Sequence, residues 1–461
     1  MIQNDRKYIS QSLDQAFTPP KTPPAGSEQK LVHHWPEPET EPEVIFSLGT
    51  PGPEPTVTSA STTESFEISH QEALLLHGPK QRYTHTREQP IPRVKNDREM
   101  LVQVEVVGLN PIDWKAPDFG FGLPTLPCIS GRDLAGKVVK APKKVSRFQV
   151  GDRIMAISTD YRDSRKSAYQ QYAAVSDFNA CKLPPNIASK DAAPLGVAFV
   201  AAALALGICL GMDFKVGENG PHGPDLLRII RALNRESLPT DIRSECFDGI
   251  PESRRAKPGE WIAVWGGTIP RTLKISLANL FPKGSSATGC CAIQLAKLAG
   301  LRVIAVIDVA RSGERMLKYG ADLLVDRLNP QRAVSILRSI TRGKLRFGLD
   351  TRGRESAEML AQGMQFELEG IEGGAYLVGL TGLPKQPALG VSYHSVPIKV
   401  FHEAPDVGEQ LMLWLEKLLQ GGLLTTLDIE VAEGGLEGIN AALDRLRDGS
   451  VNGPRIVVPL S

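Results

Sequence analysis

Residues 261–267 read Trp-Ile-Ala-Val-Trp-Gly-Gly, an apolar strand running into two glycines. Residues 285–300 read Ser-Ser-Ala-Thr-Gly-Cys-Cys-Ala-Ile-Gln-Leu-Ala-Lys-Leu-Ala-Gly, a helix start and an amphipathic helix closed by Gly300. A second apolar run, Arg302 to Asp308, follows at once. Strand, glycine turn, helix N-terminus and strand are the parts that hold a pyrophosphate. Backbone N–H groups and the helix dipole face the anion, and small residues let it approach. Between Gly267 and Ser285 stands a segment, Thr268 to Gly284, that fits none of these roles.

The spacing points to an interruption. An acidic residue ending the second strand is expected about 20 residues after the glycines. Asp308 stands about twice that far beyond Gly267, and close to the expected distance once Thr268–Gly284 is set aside. A segment of whole codons reads through without a frameshift, so Thr268–Gly284 is expected to be a retained intron or a similar error of gene assembly. The other reading is a genuine insertion, which folds tolerate because loop-closure entropy grows slowly with length. A phosphate turn is a poor place for one. With Leu273, Ile275, Leu277, Leu280 and Phe281 between Pro270 and Pro282, the segment is expected to loop out, poorly packed, from the carboxyl edge of the sheet.

The chain has 461 residues, enough for two or three domains. Its 53 basic and 52 acidic residues leave a net charge of +1 with no strong run of either sign, which argues against nucleic acid or an acidic membrane as partner. Six cysteines without C-x-x-C spacing suit reduced thiols in a cytoplasmic protein. The N-terminus has no apolar core of a secretory signal. Ala192–Met212 carries no charge along its length, nominally enough to cross a bilayer. It is broken by Pro194 and lacks basic or aromatic anchors, so a buried helix between two domains is expected.

Residues 1–68, rich in Pro, Glu, Ser and Thr, are expected to be a disordered tail. Short strand patterns follow at 73–76, 100–107, 133–139, 154–157 and 169–175, the signature of a compact, mostly β domain. Beyond a helix near 226–233 the text alternates as a parallel sheet with covering helices. Strands are expected at 261–265, 302–307, 323–326, 346–350, 375–380 and 397–401, and helices at 287–299, 312–319, 330–340 and 354–363. Two amphipathic helices, about 406–420 and 435–447, and a strand at 455–460 close the chain.

Five further stretches carry a family likeness: Gly108-Leu109-Asn110-Pro111-Ile112-Asp113-Trp114-Lys115, Gly131-Arg132-Asp133-Leu134-Ala135-Gly136, Val150-Gly151-Asp152-Arg153, Pro194-Leu195-Gly196 and Tyr319-Gly320-Ala321-Asp322. In this order, with the split turn, they resemble the medium-chain dehydrogenase/reductase superfamily over roughly residues 71–461. The likeness is to its zinc-free quinone and enoyl reductases, including trans-acting enoyl reductases of fungal polyketide pathways. It implies an α/β fold: a Rossmann doubly wound parallel sheet (206–400) and a GroES-like β-rich catalytic domain (69–205, rejoined by 401–461), with the active site between them.

Zinc members carry a Cys where this chain has Asn110–Asp113, and Gly-His-Glu where it has Gly131-Arg132-Asp133. A zinc site needs three or four ligating side chains at suitable spacing, and Arg132 cannot ligate, so no metal is expected. Without a Lewis acid to polarise an alcohol, conjugate reduction is the natural chemistry.

The resemblance puts Ile112, Asp113, Trp114 and Lys115 beside the nicotinamide. Asp113 and Lys115 are the candidate catalytic groups, since a fixed ammonium stabilises a phosphate or a developing enolate. A loop lysine in solvent, with Asp113 as a turn former, would read the same. Gly266, Gly267, Ser285, Ser286, Ala287 and Thr288 match the pyrophosphate turn, although plain N-capping would look identical. Asp308 argues for NADH, whose ribose 2′-OH a carboxylate accepts from. Arg311, Ser312 and Arg315 argue for NADPH. The resemblance favours NADPH, with Arg311 and Ser312 at the phosphate and Asp308 turned away. It further implies Gly379, Leu380, Asn452 and Gly453 at the cofactor, and Phe199 and Phe401 at an apolar substrate, though Phe199 reads more simply as core. His394 and His402, expected to flank the strand at 397–401, read as structural.

The expected function is NADPH-dependent, zinc-independent reduction of an activated C=C bond, that of an enoyl thioester in secondary metabolism. The acyl substrate is small or carrier-bound, with a polyketide synthase as the implied partner. The alternatives are an NADPH:quinone oxidoreductase and, if Thr268–Gly284 displaces the turn's N–H donors, a cofactor-deficient protein without activity.

Overall fold

The computed structural model describes residues 69–215, 221–266, 286–365, 374–386, 388–451 and 453–460. The expectations for residues 1–68, for Thr268–Gly284, and for Gly267, Ser285 and Asn452 lie outside the described residues.

Strands with one buried face open the fold: β1 (His70–Leu76), β2 (Thr84–Pro90) and β3 (Glu99–Gly108). In β3, Met100, Val102, Val104 and Val106 are buried while Gln103 between them is exposed, the period-two pattern of a half-covered sheet. Helix α1 (Pro111–Phe119), β4 (Cys128–Ile129), β5 (Asp133–Lys140), β6 (Arg153–Ile157), β7 (Tyr172–Ser176) and β8 (Ala180–Lys182) follow. β2 has no apolar alternation to announce it, because it lies antiparallel to β1 with most of its side chains exposed or half-buried.

Helices α2 (Ser189–Ala192) and α3 (Gly196–Leu204), with a wider turn through Cys209, form the long apolar segment. α4 (Leu226–Arg231) and α5 (Thr240–Phe247) come next. Strands and helices then alternate: β9 (Trp261–Trp265), α6 (Ala287–Leu298), β10 (Arg302–Ile307), α7 (Val309–Lys318), β11 (Leu323–Asp326), α8 (Pro330–Thr341), β12 (Phe347–Asp350), α9 (Arg354–Met364), β13 (Ala375–Gly379) and β14 (Val391–Ser395). All six strands are parallel, in the order β11-β10-β9-β12-β13-β14. Helices cover both faces, so β9 and β10 can be apolar almost throughout. The apolar segment is buried between β5 and β6 on one side and α6 on the other, as expected of a core helix.

One strand differs from expectation. The ladder to β13 is made by Val391–Ser395, not 397–401. Pro397 has no N–H to give a ladder, and Val400–Glu403 is helix α10. His394 is therefore inside β14 and His402 inside α10; they do not flank a strand.

The chain ends with α11 (Pro405–Gln420), β15 (Ile429–Val431), α12 (Gly435–Asp448) and β16 (Arg455–Pro459). β16 pairs antiparallel with β3, Val457 opposite Gly108. The chain end thus completes a seven-stranded sheet, β15-β16-β3-β5-β6-β8 with β7 also on β3. β2-β1-β4 form a smaller sheet.

Candidate functional site

In a doubly wound sheet, ligands bind outside the carboxyl ends of the strands where the strand order reverses. Here that point lies between β9 and β12, where Trp265 pairs with Asp350. Gly266 follows Trp265 and donates its N–H to the Val306 carbonyl at 3.0 Å. The Thr351 hydroxyl donates to the Trp265 carbonyl at 3.1 Å. Helix α6 begins at the same edge with Ser286 as its N-cap, the hydroxyl accepting from the Gly289 N–H at 3.2 Å. Gly266, Ser286, Gly289, Cys290 and Ser312 line a shallow hollow whose floor is apolar: Val264, Ile293, Ile307 and Met316. Small residues, a capping hydroxyl and the positive end of a 12-residue helix are features that suit an anion.

Cations gather beside it. Asp308 is buried and N-caps α7, accepting from the Arg311 N–H at 3.3 Å, with the Arg311 guanidinium 3.6 Å away. Arg327, directly after β11, is only 5% exposed, and its Nε and Nη2 have no hydrogen-bond partner among the described residues. Burial, and next the Arg352 guanidinium, bring Arg327 down to about 10; Arg311 acts in the same sense, and Asp308 and Asp326 oppose it. Arg311, Arg327 and Arg352 thus stand just beyond the ends of β10, β11 and β12. Arg315, one turn along α7, is tied instead to Asp428 at 2.9 Å and to the Ser312 hydroxyl at 3.4 Å.

A second polar centre forms around α1. Asn110-Pro111-Ile112-Asp113 is a helix start with a capping box and proline in its first turn. Asp113 Oδ2 accepts from the Asn110 N–H at 2.8 Å and the Tyr169 hydroxyl at 2.9 Å, and the Tyr83 hydroxyl donates to the Asp113 carbonyl at 2.6 Å. Asn110 Nδ2 donates to Asp133 Oδ2 at 2.9 Å, and Arg455 Nη2 donates to Asn110 Oδ1 at 2.7 Å. Burial pushes the Asp133 carboxyl up to about 7, against the Asn110 bond and the Arg455 charge. Lys115, half-buried with its Nζ 5.9 Å from the Trp114 ring, has no ion-pair partner among the described residues. Burial brings it down to about 8.

The expected site residues fall into these groups. Gly266, Ser286 and Ser312 line the hollow, and Ala287 and Thr288 are the buried first residues of α6; Arg311 joins the cation cluster. Leu380, which follows Gly379 at the end of β13, donates its N–H to the Asp350 carbonyl at 2.8 Å and so belongs to the same edge. Gly453 sits against α7: a Cβ there would lie 3.1 Å from Arg315 Nη1. On α1, Ile112 and Lys115 are half-buried, whereas Asp113 and Trp114 are buried, the Asp113 carboxylate turned inward to its network. Phe199 and Phe401 are fully buried, the Phe199 ring 5.9 Å from that of Trp414. The structure makes both core side chains instead of walls of an open acyl pocket. Sequence reasoning missed Arg327 and Arg352. The available signal was their place directly after strands, where parallel sheets meet ligands.

Residues 96–185 match the alcohol dehydrogenase GroES-like domain. The Escherichia coli quinone oxidoreductase complexed with NADPH superposes with a TM-score of 0.57 at 17% identity, covering 85% of this chain and 99% of that one. The chain has the medium-chain dehydrogenase/reductase fold. Within it, the resemblance to quinone and enoyl reductases read from the motifs holds. The chain is 29% identical over 393 residues to trans-enoyl reductase FSL5 of Gibberella zeae, covering 80% of this chain and 91% of that protein. It is 26% identical over 379 residues to trans-enoyl reductase FMN2 of Fusarium mangiferae, covering 78% and 92%. In this fold the parallel sheet carries the crevice, and the β-rich sheet carries the α1 centre.

Proposed function

We propose that the protein is an oxidoreductase that uses NADPH, without zinc, to reduce an activated carbon–carbon double bond. Its substrate is an enoyl thioester of secondary metabolism, small or carrier-bound, and a polyketide synthase is its partner. The substrate reading rests on likeness to trans-enoyl reductases along nearly their whole length. Where zinc members carry ligands this chain has Asn110, Arg132 and Asp133, of which arginine cannot ligate.

The observation that carries the cofactor reading is the Arg327 guanidinium, buried and short of acceptors next to Arg311 and Arg352. A 2′-phosphate supplies such acceptors, and arginine is its preferred partner. The carboxylate that would select NADH, Asp308, is already committed to capping α7. When bound, the cofactor supplies hydride at nicotinamide C4. Ser286 and the first turn of α6 would hold its pyrophosphate, and Arg311, Ser312 and Arg327 its 2′-phosphate. All six cysteines are free, buried thiols, which supports a reducing compartment, the cytoplasm.

Steady-state assays test this with NADPH and NADH against crotonyl thioester and a panel of quinones. The expected result is NADPH oxidation with the thioester. Turnover of quinones alone would replace the substrate reading with quinone reduction. Tight NADPH binding without oxidation by any electrophile would overturn both.

A further inference from the structure

Arg132 is a buried cation that the protein leaves unserved. It is 6% exposed, its Nε is buried without a hydrogen-bond partner, and its guanidinium makes no hydrogen bond or ion pair with any described residue. Its one direct contact of note is the Tyr161 ring, 3.8 Å from Cζ, which holds the guanidinium plane. Asp113 is near enough to feel the charge but does not pair with it: Oδ2 is taken by Asn110 and Tyr169, and Oδ1 has no partner. A buried charge without hydrogen bonds is costly, so such groups are found where a ligand or water completes them. Tyr161 itself is half-buried. The next residue, Asp133, lies close to Cys291 of α6, the helix whose N-terminus opens on the cofactor crevice.

We propose that Arg132 is the acyl-oxygen-binding group of the reductase: the carbonyl oxygen of the thioester accepts from its guanidinium beside Tyr161. This rests on the enoyl reductase reading. In conjugate reduction, hydride from the reduced nicotinamide adds to the β carbon, and the C=C electron pair shifts so that the carbonyl oxygen becomes an enolate oxyanion. A proton from solvent then goes to the α carbon and the carbonyl re-forms. The negative charge appears on the one atom that a guanidinium held in place is suited to stabilise. Arg132 would thus provide the electrophilic assistance that a metal provides in zinc members.

The test uses the full chain and acetoacetyl-N-acetylcysteamine, a thioester with no C=C bond to reduce, whose enolate has its own ultraviolet band. Absorbance is followed across pH with the wild type, Arg132→Met, Arg132→Gln and Arg132→Lys, alongside melting temperature. Expected is enolate formation on the wild-type protein at lower pH than in solution. Arg132→Met should weaken enolate binding about tenfold or more, with Arg132→Lys restoring part of it. Should Arg132→Met fail to fold, Arg132→Gln gives the same comparison. Wild-type-like enolate binding by either folded variant, or none by the wild type, would overturn the proposal and leave Arg132 served by water only. Because no hydride is transferred, Arg132-dependent enolate binding without any thioester reduction would sink the reductase reading and leave the oxygen site standing.

Discussion

Asp133 Oδ1 accepts from the Val197 backbone N–H at 2.8 Å, joining the first residue of β5 to the start of helix α3. Its other oxygen takes the Asn110 amide at 2.9 Å, so one buried carboxyl ties α1, β5 and α3 together. Burial raises this carboxyl to about 7, above the ordinary value near 3.9. Between those values the folded protein holds a proton that the unfolded chain has released. Stability therefore falls as pH rises from about 4 to about 7, by at most ~1.4 kcal/mol per pH unit from this group. Denaturant unfolding should show a shallower slope over that range in Asp133→Asn. An unchanged slope would place the proton elsewhere. Asp350, raised by burial to about 6, acts in the same direction and remains in both proteins.

Arg327→Met should lower NADPH affinity about tenfold or more and leave NADH affinity nearly unchanged, since only NADPH carries the phosphate the guanidinium would meet. Fluorescence titration with both nucleotides measures it. Equal losses would assign Arg327 to a group common to both.

Lys115 is brought to about 8 by burial, so its ammonium is present below that pH and lost above it. If the ammonium assists the reaction, the pH profile of kcat/KM falls above about 8. Lys115→Met should lower kcat/KM about tenfold and remove that limb, while Lys115→Arg should retain rate to higher pH. A Lys115→Met profile that keeps the wild-type limb would exclude this lysine as its source.

Gly131 has φ +89°, and a Cβ there would lie 2.4 Å from the Tyr169 ring, which is held by its bond to Asp113. Gly131→Ala should cost about 2 kcal/mol or more through backbone strain and overpacking together. A melting temperature within a degree of the wild type would show that the ring gives way freely.

Deleting Thr268–Gly284 rejoins Gly267 to Ser285, and is expected to tighten NADPH binding by roughly tenfold or more as turn N–H donors are restored. Isothermal titration of both forms decides it. Weaker binding by the deletion would make the segment part of the site.

Much of the parallel sheet was legible because its signals are local. β9 and β10 are buried on both faces and read as unbroken apolar runs, and Ser286, Asp308 and Asn329 announce the helices they cap. Strand β3 of the seven-stranded sheet showed itself by alternation. Strands such as β2, an exposed polar edge, and β14, displaced from 397–401, carry no such pattern and depend on a neighbour for their pairing. Helix α1 was legible in principle from Asn110, Pro111 and Asp113, but the same letters were read for chemistry instead.

By itself the sequence determined most strands and helices of the parallel sheet, β14 excepted, and the family likeness, because periodicity and capping act over a few residues. Only the tertiary structure decided which polar groups are satisfied. Asn110 meets Arg455 across 345 positions of chain, and Arg98 meets Glu409 across 311. Arg327 and Arg132 look like any other arginines in the text. Their character comes from burial by distant elements that supply no acceptor, and that is a property of the packed molecule alone.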